Sequence, residues 1–416
     1  MRAGLTALGC KVNYAEMAEL AGRLAAAGIE VVGDDEPADV RVLNSCTVTL
    51  QADATTRQRI SRLRRADPGA HLVVTGCSVD ANPGRYPALA DSVVANADKP
   101  RIADHILELV AARIESAAPA PPPPRRSRAF LKVQDGCDHR CTYCIVWRAR
   151  GAVSRSLPLD EVLRRVDGAL EDGHRELVLT GVDLGSWGHE RGERLSSLVT
   201  AILDRLGGAR LRLSSVNAND VTPALAELNA HPRLCAHWHI PLQSGSDAVL
   251  RAMHRGYRRS RYLRVVEQLR AADPDTELTT DVMVAFPGET EDDHAATLSL
   301  VAGAGFLHCH TFRWSPRPDT PAALLEGRVD DATAHRRSRE VRRAAARTGM
   351  AARRRVVGRR LEVVWERVAG GEANGLSAGW HSVVAVPGPA TAPGALEEVV
   401  VEAVEGEVLR ATLPHS

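Results

Sequence analysis

Cys137, Cys141 and Cys144 fall within eight residues, directly after the apolar segment Phe130–Val133. This spacing constrains the fold more than any other feature of the chain. Whatever sheet Phe130–Val133 joins must release the backbone into a short loop that wraps three thiolates round one object. Three thiolates ligate three irons of a cuboidal 4Fe–4S cluster and leave the fourth iron coordinatively open. The amine and carboxylate of a methionine can chelate that iron. The spacing therefore points to S-adenosyl-L-methionine as a second cofactor and to reductive cleavage of its sulfonium, with the protein supplying placement and shielding. Zinc is the alternative, but it favours four ligands in paired spacing. Asp138 and His139, which offer a fourth, are adjacent residues that seldom reach one ion together.

Around this motif, short apolar segments alternate with helical periodicity. In residues 1–115, strand candidates at Leu5–Leu8, Ile29–Val32, Val40–Leu43 and His71–Thr75 alternate with helices over Tyr14–Ala27, Ala52–Arg65 and Ile102–Arg113. That predicts an α/β domain with a mostly parallel sheet. Residues 116–128 form a linker rich in Pro and Arg, whose proline run favours an extended spacer. From 129 to 352, six strand candidates (Phe130–Val133, Glu176–Leu179, Arg210–Leu213, His237–Pro241, Glu277–Val284 and Leu307–Phe312) with interleaved helices predict a partial (βα) barrel. Chemistry in such barrels sits at the C-terminal strand ends. Residues 353–416 change character, and four short strand candidates with Gly and Pro turns predict a small all-β barrel. The fold class is α/β with that β appendage.

Of the eight cysteines, three remain that follow strand candidates in the first domain: Cys10, Cys46 and Cys77. Parallel strands bring their C-terminal loops to one edge, so these three can converge. Cys235 and Cys309 lie in apolar strands and read as buried structural residues. No long apolar run and no signal-peptide pattern occurs, so no membrane span and a cytoplasmic location are expected. Net charge is +1, which rules out a polycation, yet 50 of the 53 basic residues are arginine, the better residue for forked phosphate contacts.

The motifs closely resemble the radical-SAM methylthiotransferases. Gly9-Cys10-Lys11-Val12-Asn13, Asn44-Ser45-Cys46-Thr47-Val48-Thr49 and Thr75-Gly76-Cys77 look like that family's N-terminal motifs, and Val133 to Gly151 resembles its radical-SAM loop. His239 to Asp247 and Ala285 to Thr290 resemble two later barrel motifs, and residues 353–416 a TRAM domain, an RNA-binding module. The resemblance implies a second, auxiliary 4Fe–4S cluster on Cys10, Cys46 and Cys77. It implies transfer of a methylthio group to C2 of an adenine in tRNA, at the anticodon stem-loop. Lys11-Val12-Asn13 is similar to the branch acting on threonylcarbamoyladenosine at position 37, whereas Gln-Met-Asn would suggest isopentenyladenosine. A ribosomal-protein aspartate is a further alternative substrate. An iron–sulfur protein that only binds RNA or senses redox state is the alternative of another class. An electron donor such as flavodoxin or ferredoxin and a sulfur donor are implied partners.

For S-adenosylmethionine, the candidates are Tyr143 between two cluster ligands, Gly181 and Asp183 after one barrel strand, Gln243, Ser244 and Ser246 after another, and Gly288 after a third. Turn capping is the competing role for the serines. His239 is a weak candidate beside them, with satisfied core histidines the default. Arg336, Arg337, Arg339, Arg342, Arg343, Arg347, Arg353, Arg354, Arg355, Arg359 and Arg360 crowd one segment that suits an RNA backbone. Arg148, Arg150 and Arg155 are expected to guide the anticodon stem. Departures from the family pattern are Val146-Trp147-Arg148, Asn217-Ala218 and Ala285, the last in place of a common Gly.

Overall fold

The computed structural model describes residues 1–110 and 126–414; most of the Pro-rich linker and the end foreseen for the Ile102–Arg113 helix lie outside the described residues. The chain forms two compact units. The first comprises residues 1–110, 135–154 and 317–320, and the second 126–134, 155–316 and 321–414.

In the first unit, β1 (Arg2–Ala7), β2 (Glu30–Val32), β3 (Val40–Ser45), β4 (His71–Gly76) and β5 (Ser92–Val94) form a parallel sheet in the order β2-β1-β3-β4-β5. Helices α1 (Lys11–Ala26), α2 (Leu50–Ala66), α3 (Cys77–Ala81) and α4 (Ile102–Val110) connect or follow these strands. Leu20 and Leu24 of α1 and Ile102 and Ile106 of α4 meet Val42 and Val73 on one face. Ile60 and Leu63 of α2 meet Leu43, Leu72 and Val74 on the other. Every residue of β3 is consequently buried, as expected of a parallel strand covered on both sides. The strand order reverses between β1 and β3. Their following helices leave to opposite faces, which opens a crevice beyond their C-terminal ends. Residues 135–154 add the short helix α5 (Val146–Arg150) to this unit.

In the second unit, β6 (Ala129–Asp135), β7 (Arg155–Ser156), β8 (Glu176–Gly181) and β9 (Arg210–Leu213) form a sheet ordered β7-β6-β8-β9. A further parallel set, β10 (His237–His239), β11 (Glu277–Val284) and β12 (His308–Arg313), continues it through the bridges Leu211–Leu234 and Ser215–His239. The six strands foreseen thus make an open (βα) barrel. Outside it lie α6 (Leu159–Glu171), α7 (Leu195–Leu203), α8 (Pro223–Glu227), α9 (Asp247–Ala252), α10 (Arg259–Ala272) and α11 (Glu291–Ala304), and α12 (Asp331–Arg355) runs against β12. Thr290 starts α11 with a reciprocal capping box to Asp293.

The C-terminal strands β13 (Arg360–Ala369), β14 (Glu372–Ser377), β15 (Ser382–Ala385), β16 (Leu396–Glu405) and β17 (Val408–Thr412) close into a barrel, β13-β14-β15-β17-β16. Four strands were foreseen and there are five. The unforeseen strand is β14, which contains Asn374-Gly375, a pair that ordinarily favours a hairpin turn. Gly375 is there because a Cβ would stand 2.5 Å from the Val364 carbonyl oxygen, under the buried Trp365.

This small barrel covers the N-terminal end of the (βα) barrel. Glu176 opens β8 and Arg210 opens β9, and both are fully buried with Arg212. Arg210 and Arg212 donate from Nε to Glu176 at 2.7 and 2.8 Å. Their remaining N–H groups reach the carbonyls of Leu376, Ser377 and Ala378, each at 2.9 Å. Trp380 stacks on His237 at 4.8 Å between centroids. The C-terminal strand ends, where barrel chemistry occurs, are left outside this contact.

Candidate functional site

Three strands of the first unit deliver the first cysteine triad, and two of them, β1 and β3, flank the crevice. Cys10 follows β1 and stands at the N-cap of α1, Cys46 follows β3, and Cys77 opens α3 after β4. Gly9 and Gly76 precede two of them with φ of +87° and +102°. A Cβ on Gly9 would lie 2.5 Å from Cys46 Sγ, and one on Gly76 would lie 2.4 Å from the Ser45 carbonyl oxygen. Only glycine permits both the backbone conformation and this approach.

Cys10 and Cys46 both feel the charge of Cys77. Burial pushes Cys10 up, opposed by Arg150, and pushes Cys46 up to about 11, opposed by the backbone N–H of Val48; Cys77 adds to the rise at both. Cys10 keeps solvent-accessible surface at the same time. Thiols that resist ionisation alone are fully deprotonated when bound to iron, and backbone N–H groups of Asn13, Thr47 and Val48 are aimed at them. The donor set fits an iron–sulfur cluster.

The second triad lies in residues 135–154 of the same unit. The loop is pinched at its neck: Cys137 N–H donates to the Gly151 carbonyl at 3.1 Å, and a Cβ on Gly136 would meet the Val153 oxygen at 2.1 Å. Cys144 N–H bonds to the Cys141 carbonyl at 3.1 Å, and Val146 N–H donates to Cys144 Sγ at 3.4 Å. Tyr143 is half-buried between these ligands. Three thiols on so short a loop, with an N–H directed at one, fit a cluster held at three irons.

Arg150 links the two triads. It was expected to guide RNA, but it is buried and does something else. Its Nε donates to Cys77 Sγ at 3.2 Å and its Nη2 to Asn13 Oδ1 at 2.6 Å. It pairs with Glu16, which also receives Lys99 Nζ at 2.6 Å. A guanidinium N–H aimed at this sulfur would tune a metal bound there. Glu16 did not stand out from sequence spacing, and Arg150 did so only as an RNA contact; the Asn13 of the first motif was the one signal of this role.

In the second unit, the S-adenosylmethionine candidates sit at C-terminal strand ends. Gly181 ends β8, but the atom occupying the space its missing Cβ leaves is Gln134 Oε1, which would be 2.8 Å away. The same Oε1 accepts Asp183 N–H at 2.8 Å. Ser244 and Ser246 are committed to internal bonds. Ser244 Oγ meets Thr297 Oγ1 at 3.3 Å, and Ser246 caps α9 while donating to Asp293. Gln243 instead keeps its side-chain amide unbonded among the described residues and adopts φ +64°. Gly288 is open, with no atom within 4 Å of a Cβ position. Burial pushes the neighbouring Glu289 up to about 7 against the pull of Arg337.

Ala285, noted above as a departure from the family pattern, has φ +61° just after the end of β11. Left-handed backbone costs a non-glycine residue about 1–2 kcal/mol. Ala285→Gly is therefore expected to raise stability by about 1 kcal/mol after the entropy of the added glycine is subtracted. Chemical denaturation of the two proteins checks it, with an unchanged or lower midpoint as the contrary result.

His237 is buried with its Nε2 against Thr279 Oγ1 at 2.9 Å, and His239 faces Asp281 at 3.3 Å. Cys235 and Cys309 are buried, with burial lifting their thiols to about 11 and about 12. Much of the arginine segment is engaged internally: Arg336 and Arg337 hold Glu291, Arg355 holds Glu277, Arg359 holds Asp275 and Arg360 holds Glu398. Arg339, Arg343, Arg347 and Arg354 form an exposed stripe on α12 without an ion pair among the described residues. Arg148 pairs with Asp319 at 3.5 Å.

A loop of three cysteines following a (βα)-barrel strand, with a second thiol triad in an α/β unit, fits a radical-SAM enzyme. Residues 131–301 match the model of the Radical SAM superfamily, and residues 2–95 match Uncharacterized protein family UPF0004. A Thermotoga maritima protein named threonylcarbamoyladenosine tRNA methylthiotransferase MtaB is 37% identical, covering 86% of this chain and 85% of its own. The Chlamydia pneumoniae protein of that name is 35% identical, with 90% and 89% covered. A Parafrankia tRNA-2-methylthio-N(6)-dimethylallyladenosine synthase is 36% identical, with 88% and 77% covered. Among solved structures, the radical S-adenosylmethionine methyltransferase TsrM of Kitasatospora setae shares the fold. Its TM-score is 0.59 at 14% identity, over 78% of this chain and 75% of that one. The chain belongs to the radical-SAM methylthiotransferase family. It is an enzyme, and its cofactors are S-adenosyl-L-methionine and 4Fe–4S clusters. Among the described residues no helix is long and apolar enough to cross a membrane.

Proposed function

We propose that the protein adds a methylthio group to C2 of N6-threonylcarbamoyladenosine at position 37 of tRNA, in the cytoplasm. The observation that carries this reading is the pair of cysteine triads in one compact unit, joined by the Arg150 contact to Cys77. When bound, the clusters and S-adenosylmethionine supply the electron, the radical and the sulfur chemistry that an inert aromatic C–H bond requires.

The chain's own residues place these groups. Cys137, Cys141 and Cys144 hold the radical-SAM cluster, and Cys10, Cys46 and Cys77 the auxiliary one. Gln243 and the open backbone at Gly288 contact S-adenosylmethionine, while Gly181 and Asp183 shape the loop beside them and Ser244 and Ser246 brace theirs. Tyr143 shields the cluster loop. Housing both triads in one unit supplies proximity between radical and sulfur donor, which is worth many orders of effective concentration. Residues 1–115 act as the methylthiotransferase domain, 129–352 as the radical-SAM domain, and 353–416 as a TRAM-like module for the anticodon stem-loop. A flavodoxin or ferredoxin delivers electrons, and a separate donor replenishes sulfur.

Identity to relatives named for the two adenosine substrates is nearly equal, so it does not choose between them. Lys11-Val12-Asn13 favours threonylcarbamoyladenosine. The test is anaerobic turnover of the reconstituted protein on tRNA bearing either base, read by nucleoside mass spectrometry. The expected product is 2-methylthio-threonylcarbamoyladenosine. Product on isopentenyladenosine alone would overturn the substrate assignment.

A further inference from the structure

The start of α10 runs against the electrostatics of a helix. The N-terminal end carries the positive pole of the backbone dipole and favours acidic side chains. Here Arg258 is the N-cap, Arg259 and Arg261 lie in the first turn and Arg264 follows, with no acidic residue in that turn and no side-chain cap from Arg258. Arg251 of α9 and Arg255 of the connecting turn join Arg258, Arg261 and Arg264 round an open recess of about 350 Å³. The carboxylate on its wall, Asp247, accepts the backbone N–H of Arg259 at 2.7 Å.

Several surface arginines elsewhere find carboxylates, as Arg336, Arg359 and Arg410 do, whereas the α12 stripe of Arg339, Arg343, Arg347 and Arg354 does not, but that stripe lines no recess at a helix N-terminus. Among the described residues, Arg251, Arg258, Arg261 and Arg264 have no ion pair. Like charges gathered at the wrong pole of a helix cost stability, and a local rule broken without compensation marks a functional surface. The compensating anion must come from outside.

The recess is fixed relative to the chemistry. Arg255 lies over the Tyr257 ring at 5.1 Å, and the Tyr257 hydroxyl donates to the carbonyls of Pro241 and Leu242 at 2.7 and 2.9 Å. Those residues lead directly into Gln243. Asn219, beyond the end of β9, completes the wall, so the recess opens on the C-terminal side of the barrel strands.

We infer that this recess binds a phosphodiester of the substrate RNA and sets the reach of the target base toward the barrel mouth. The inference rests on the tRNA reading above. A free phosphate would offer the same oxygens, but the spread of arginines from α9 across to Arg264 suits a continuous backbone.

The test uses the full-length, cluster-loaded protein and fluorescently labelled tRNA. Arg258 and Arg264 are exposed, so Arg258→Gln with Arg264→Gln is expected to leave the melting temperature and tRNA-independent S-adenosylmethionine cleavage unchanged. Binding is expected to weaken about tenfold, and the slope of log Kd against log salt to fall by about one to two. Arg251→Gln, made separately, is expected to lower the same slope. Wild-type affinity and slope in the double variant would overturn the inference while leaving the tRNA reading intact. A wild-type protein that binds no tRNA would remove that reading itself. Saturable inorganic phosphate binding at the recess, with tRNA affinity unaltered in the double variant, would also overturn it.

Discussion

Replacing Cys10, Cys46 or Cys77 singly with alanine is expected to reduce methylthio product to background while S-adenosylmethionine cleavage continues. Cys141→Ala is expected to abolish both. The asymmetry follows from how the triads are built. One rests on three strand ends of a parallel sheet, with residues far apart in sequence. The other rests on a single loop pinched between Gly136 and Val153. Loss of a ligand from the sheet edge leaves that loop's hydrogen bonds in place, so the cleavage site survives. Each loss removes up to about four irons per chain. Parallel assays of 5′-deoxyadenosine and of modified nucleoside separate the two outcomes, and loss of cleavage in Cys10→Ala would contradict the division of labour.

Glu176→Ala is expected to destabilise the second unit by about 3–5 kcal/mol, because it strands two buried guanidiniums without their counter-charge. Arg210 and Arg212 hold both the (βα) barrel and the carbonyls of β14, so the loss is felt in both. Burial pushes the Glu176 carboxyl up, but Arg212 and Arg210 prevail and hold it at about 2, against an ordinary value of 4.5. Its folded value is depressed, so its contribution is complete above about pH 4.5 and disappears as pH falls through about 2. That contribution is about 3 kcal/mol at about 1.4 kcal/mol per pH unit. Denaturant titrations between those limits should show a steeper acid loss in the wild type than in Glu176→Gln. Equal pH slopes would show that the pair does not control docking of the small barrel.

The candidate metal ligands could be picked out in the sequence because their chemistry tolerates few residue types and because Cys10, Cys46, Cys77 and Cys137 each sit just past an apolar strand. The doubly covered sheet and the six barrel strands were legible for a related reason, since buried parallel strands read as short apolar runs. What remained hidden depends on contacts between distant residues. Arg150 looks like one surface arginine among many until Glu16, 134 positions away, meets it beneath Cys77. Gly375 ordinarily favours a turn, but Trp365 needs its space. The arginines between 336 and 360 looked uniform, although acids on other elements neutralise several of them. Ala285 was noticed as a departure, but its left-handed backbone could be known only from the structure.

The most direct measurement of the central claim is iron and acid-labile sulfide per chain after anaerobic reconstitution, with Mössbauer spectra on the same sample. Two clusters, each tethered by three thiolates, predict about eight irons per chain, all in 4Fe–4S environments, falling to about four in a Cys10/Cys46/Cys77 triple alanine variant. A fully loaded wild-type protein with only about four irons, or with zinc in either triad, would contradict it.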